Sequence, residues 1–180
     1  SQTVLYPKIA YPTYLVGAML AQSHEIAVDI DASQWPQADL AWVNSPANPT
    51  GRVHSEAELR TVIQWSRKNK AVVISDECYL EFGDGVTPIS IFAYSDGDNS
   101  NLLAVHSLSK RSSLAGYRAA FMVGDPALIA AIREIRKQAG MMVALPVQKA
   151  MTAALGDDEH VAITRARYNS RRATLKPALE

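Results

Sequence analysis

Short apolar runs alternate along this chain with longer stretches of helical period. Residues 26–30, 40–43, 71–75, 102–106 and 119–123 are the strand candidates. The runs at 71–75 and 102–106 are apolar without alternation, as expected of strands covered on both faces. The helices carry clearer marks. Ser55 with Glu58 three residues on is a capping-box pattern, and Leu59, Val62, Ile63 and Ser66 mark one face of a helix running to about Lys68. Asp125-Pro126 reads as an N-cap with proline at the first helical position; Leu128, Ile132 and Ile135 continue the helix and Gly140 stops it. A further helix covers 147–155, and another runs from about Asp157 to the end. Strands alternating with helices predict an α/β fold, a three-layer α/β/α sandwich around a mostly parallel sheet.

Composition narrows the function classes. The chain has 180 residues, 48% hydrophobic and 20% charged, with a formal net charge of zero. No overall basic field recruits nucleic acid, and no apolar run reaches the roughly 18 residues of a membrane span. Cys78 is the single cysteine, so an intrachain disulfide is excluded, and a reducing, cytoplasmic setting is expected. His24, His54, His106 and His160 lie far apart without metal-ligand spacing, so no metal site is expected. Arg165, Arg167, Arg171 and Arg172 read as a solvated helix face.

Chemistry gathers where the strands end, which is where open α/β sheets bind ligands. After 40–43 comes NSPANPTG, in which two prolines stiffen a loop able to hold the Asn44 or Asn48 amide in one direction; a plain turn is the other reading. After 71–75 come Asp76 and Glu77. A carboxylate at the end of a buried strand needs a cationic partner or hydrogen-bond donors, such as a protonated heterocyclic nitrogen or an N-capping role. After 102–106 comes HSLSKRSSLAGYR. Ser107, Ser109 and Arg118 suit a phosphate, with the Lys110 amine beside it. Ser107 to Lys110 also fits S-x-x-K of serine acyl-transfer enzymes, but no K-T-G accompanies it.

Taken together, NSPANPTG, SDECY and HSLSKRSSLAGYR resemble the pyridoxal-phosphate-dependent aminotransferases of fold type I, class I/II, in order and in spacing. The resemblance implies that Lys110 forms the Schiff base with the aldehyde of pyridoxal 5'-phosphate and moves the substrate's α-proton. It implies that Asp76 pairs with the ring nitrogen and that Asn48 and Tyr79 hydrogen-bond the ring 3-hydroxyl. Ser107, Ser109 and Arg118 then hold the phosphate. Ala120 stands where similar enzymes often have glycine, which adds a methyl near a strand start.

The resemblance also implies a larger protein. Residues 1–156 become part of a large cofactor-binding domain, and 157–180 a helix leading toward a small domain outside this chain. The ring-stacking aromatic, a glycine-containing phosphate loop and the arginine for the substrate carboxylate are expected outside it too, so the fragment alone should be inactive. The partners implied are an amino-acid donor, a keto-acid acceptor and a second copy in a homodimer, with no nucleic acid or membrane. YPTYLVGAMLAQ and SLSKRSSLAGYRAAFMVGD look most like actinobacterial succinyldiaminopimelate aminotransferases. That likeness implies ping-pong transfer between glutamate and N-succinyl-2-amino-6-ketopimelate in lysine biosynthesis. Carbon–sulfur lyases and aminotransferase-like domains of transcription regulators share the cofactor residues.

Overall fold

A computed structural model describes residues 2–179. The chain runs β1 (Thr3–Pro7), α1 (Thr13–Leu20), β2 (His24–Val28), β3 (Leu40–Asn44), α2 (Glu56–Asn69), β4 (Val72–Asp76), β5 (Leu102–Ser107), α3 (Leu108–Arg111), β6 (Ala120–Gly124), α4 (Pro126–Gln138), α5 (Leu145–Leu155) and α6 (Glu159–Leu179). One six-stranded sheet has the order β2-β1-β3-β4-β5-β6. The first five strands are parallel, and β6 pairs antiparallel with β5 at the edge.

Strand alternation sets the layers. Leu5, Ala41, Val43, Val73 and Leu102 point to one face, where Leu59, Val62, Ile63 and Trp65 of α2 pack on them. Each of those helix side chains is buried, which stabilises by about 1.5–3 kcal/mol for a large apolar group. The capping box is present at the start of α2: the Ser55 hydroxyl accepts from the Glu58 amide, and the Glu58 carboxylate accepts from the Ser55 amide at 2.8 Å. Trp42 lies on the opposite face, where Tyr14 of α1 stacks on it with ring centres 4.8 Å apart. Helices thus cover both faces, giving the three-layer α/β/α arrangement with a mostly parallel sheet.

Three local features differ from the sequence expectation or qualify it. β1 and α1 were not anticipated, and β2 starts two residues before the expected strand and ends at Val28. The Ala120 side chain is exposed, so its methyl crowds nothing. Gly124 ends β6 with φ 140°, and a Cβ there would lie 2.1 Å from the Leu102 carbonyl oxygen, so glycine is required for β6 to approach β5.

Candidate active site

β1 has β2 on one side and β3 on the other, so the chain reverses direction across the sheet there. Loops leaving the carboxyl ends of β1 and β3 diverge at such a switch point and leave a crevice. A cleft of about 300 Å³ opens at these ends, and Asn48, Asp76, Tyr79, Ser107, Ser109, Lys110 and Arg118 all border it. Residues up to 70 positions apart therefore share one site because three adjacent strands end beside one another.

Asp76 closes β4 and is partly buried. Its Oδ2 accepts from the Tyr14 hydroxyl at 2.6 Å, and its Oδ1 accepts from the Cys78 amide at 3.1 Å. Donors on both oxygens fix the orientation of the carboxylate. Burial, and then the Asp76 charge beside it, hold the Tyr14 phenol far above its ordinary value, so Tyr14 stays a donor. Burial also pushes the Cys78 thiol up to about 12, with the Asp76 carboxylate adding to it. Cys78, half-buried on the cleft wall, is thereby kept mostly as the less nucleophilic thiol.

The stiff loop works through both asparagines. Asn44 is buried; its Nδ2 donates to the carbonyls of Asp76 at 2.9 Å and Pro46 at 3.1 Å, and its Oδ1 accepts from the Asn48 amide at 2.7 Å. Asn44 thus ties the loop to the end of β4, which places Asn48 on the cleft wall.

Past β5, the Ser107 hydroxyl caps α3 by accepting from the Ser109 amide at 3.1 Å. Arg118 takes a left-handed backbone, φ 53°, after a 3-10 turn, and its guanidinium donates to the Ala115 carbonyl at 2.8 Å. Lys110, on α3, is exposed and not buried; its Nζ lies 5.9 Å from the Tyr79 ring centre. Arg111 next to it turns away, donating to the Ala154 carbonyl at 2.8 Å and pairing with Asp158.

Sequence reasoning missed Tyr11 and Tyr14, which both border the cleft. An aromatic wall was expected outside the chain, yet these two rings supply one from within it, meeting edge-on at 6.4 Å. The available signal was the aromatic loop YPKIAYPTY, in which Pro12 opens the helix carrying Tyr14. Among the described residues no group of His, Cys, Asp or Glu suits a metal ion. A fixed carboxylate, an amide and a phenol, an amine, and two hydroxyls with a guanidinium fit a phosphorylated pyridine aldehyde.

Comparison with known proteins agrees. The family described as aminotransferase class I and II matches residues 2–180. The chain is 52% identical over 179 residues to the probable aminotransferase Rv1178 of Mycobacterium tuberculosis, covering 98% of this chain and 43% of that protein. It is 49% identical over 182 residues to 4-dedimethylamino-4-oxo-anhydrotetracycline transaminase OxyQ of Streptomyces rimosus, covering 99% of this chain and 50% of that one. The solved N-succinyldiaminopimelate aminotransferase of M. tuberculosis superimposes with a TM-score of 0.90 at 25% identity, over 99% of this chain and 50% of its own. The chain spans about half the length of these relatives. Class I and II aminotransferases depend on pyridoxal phosphate. On the family match over residues 2–180, this chain belongs to the class I and II aminotransferases.

Proposed function

We propose that this chain is the cofactor-binding part of an aminotransferase that moves an amino group between glutamate and N-succinyl-2-amino-6-ketopimelate in two half-reactions. The observation that carries the transamination reading is the convergence of Asn48, Asp76, Tyr79, Ser107, Ser109, Lys110 and Arg118 on one cleft. Asp76 would hold the pyridine nitrogen, Asn48 and Tyr79 the ring hydroxyl, and Ser107, Ser109 and Arg118 the phosphate. Bound there, pyridoxal phosphate supplies an electron sink for the carbanion at the substrate α-carbon. Lys110 Nζ, the one side-chain amine on the cleft wall among the described residues, would take the α-proton of the donor and return a proton at the far side of the transfer. Tyr14 keeps Asp76 oriented, and the Tyr11 ring on the cleft wall would offer the cofactor an apolar neighbour.

The acceptor rests on the likeness to the N-succinyldiaminopimelate aminotransferase structure. A second acceptor class is favoured by the higher identity to OxyQ, whose name gives a cyclic ketone as substrate. In this reading the whole protein works in the cytoplasm as a homodimer. The test is a panel of donors and acceptors on the full-length protein. Glutamate alone should yield one equivalent of 2-oxoglutarate per site, and the succinylated keto acid should then turn the enzyme over. Turnover with a cyclic ketone but not with the succinylated acid would replace the acceptor. Release of pyruvate and ammonia from an amino acid would sink the transferase reading in favour of a lyase.

A further inference from the structure

Beside Asp76, on the reverse side of the strand, lies a second carboxylate that the chemistry above does not use. Glu77 is 2% exposed, among the most buried side chains of the molecule. Its Oε1 accepts three hydrogen bonds: from the Ser75 hydroxyl at 3.0 Å, the Ser90 hydroxyl at 3.1 Å and the Ile91 amide at 2.9 Å. Its Oε2 is buried with no hydrogen-bond partner among the described residues. The group that faces Oε2 is His106 Nε2, at 3.4 Å. The His106 ring in turn lies flat on Phe121 of β6, ring centres 4.9 Å apart.

The chain places this pair with purpose for the cleft. Glu77 directly follows Asp76, and His106 directly precedes Ser107, with Lys110 one turn beyond. The Glu77 amide also donates to the Val105 carbonyl at 2.9 Å, so the two strand ends are already joined through the backbone. Because successive side chains of a strand point to opposite faces, His106 sits back to back with Ser107, as Glu77 does with Asp76. A buried carboxylate oxygen without a donor is costly, and an imidazole proton on Nε2 at 3.4 Å lowers that cost electrostatically.

We propose that Glu77 and His106 are positioning residues: the buried carboxylate faces an Nε2 proton on His106, and this tie fixes the distance between Asp76 and the Ser107–Lys110 segment. The two ends of the cofactor, ring nitrogen and phosphate, are then held at one separation from behind the sheet. The proposal rests on the aminotransferase reading for its consequence but not for the tie itself.

Two measurements on the full-length protein test it. The first uses cofactor-free protein and reads the His106 ring nitrogens by NMR at pH 7.5. Nε2 should carry a proton, and Glu77→Gln should shift its resonance. A bare Nε2 in the wild type overturns the tie whatever the enzyme does. The second titrates pyridoxal phosphate by its absorbance. Glu77→Gln and His106→Gln should each weaken binding about tenfold, and the double variant no more than either alone, since both break one tie. The KM for the amino donor should stay unchanged. Unchanged cofactor affinity with only a lower melting temperature, or about a hundredfold loss in the double variant, overturns the positioning role. A protonated, Glu77-sensitive Nε2 in a protein that binds no pyridoxal phosphate would instead condemn the functional reading.

Discussion

Lys110 stands exposed at the cleft, so packing does not require its ammonium group. Lys110→Ala should therefore leave the unfolding free energy of the full protein within about 0.5 kcal/mol of wild type, as for surface changes generally. If Lys110 is the proton carrier as proposed, amino-group transfer should fall by at least about 10⁴-fold, and borohydride should no longer fix cofactor to the chain. Retained borohydride fixation would move the covalent role to another amine. Asp76 differs, since both its oxygens already accept hydrogen bonds. Asp76→Asn keeps the shape but replaces one acceptor with a donor and removes the charge. Cofactor should still bind while the rate drops about 10³-fold, an outcome that near-normal turnover would refute. Cys78 supplies a pH-dependent contrast. With its thiol pushed up to about 12 by burial, only about one in a thousand of these groups is ionised at pH 9, where an unburied thiol is about half ionised. Iodoacetamide at pH 9 should label Cys78 at a small fraction of the rate in urea; equal rates would contradict the raised thiol.

At the scale of elements, α2 does most to hold the sheet that positions the cleft. Leu59 is 2% exposed in the core between α2 and the strands. Leu59→Ala should cost roughly 2–5 kcal/mol, read as a lower urea midpoint with an unchanged slope. A loss under about 1 kcal/mol would mean that the face refills easily. This helix was legible from its residues because Ser55, Glu58 and the 3.6-residue apolar spacing act within one segment. β4 and β5 were legible for a related reason: continuous apolar runs are the mark of strands buried on both faces. β1 and α1 were not. Thr3–Pro7 is too short to show a period, and α1 opens at Pro12 with no side-chain cap. The cleft residues on β3, β4 and β5 ends stood out as polar interruptions of those runs. Tyr14 escaped because its partner, Asp76, is 62 residues away, and only the folded sheet brings them to 2.6 Å. Glu77 was visible as a carboxylate beside Asp76, but its burial on the other face appears only once the strand has a direction.

On the scale of the whole molecule, the core is lopsided. The apolar cluster lies between α2 and the first five strands, whereas α4 and α5 contain no buried residue and α6 only Val161. Ile135, Leu145 and Leu175 on those helices, and Met142 in the segment between α4 and α5, are each more than half exposed. An amphipathic helix gains its stability from a buried face, and exposed apolar side chains on several helices drive association. The relatives are about twice as long as this chain, so the same surface has more protein available to cover it there. The 180-residue chain by itself should accordingly self-associate at micromolar concentration and brighten anilinonaphthalene sulfonate, while the full-length protein does neither strongly. It should also fail to transfer an amino group, although it carries Lys110 and Asp76. Sedimentation, dye fluorescence and the glutamate assay on both polypeptides check the three outcomes together. A monomeric, dye-silent chain would show that α4 to α6 need no cover. Turnover by the chain alone would show that the cleft described here is sufficient for the chemistry.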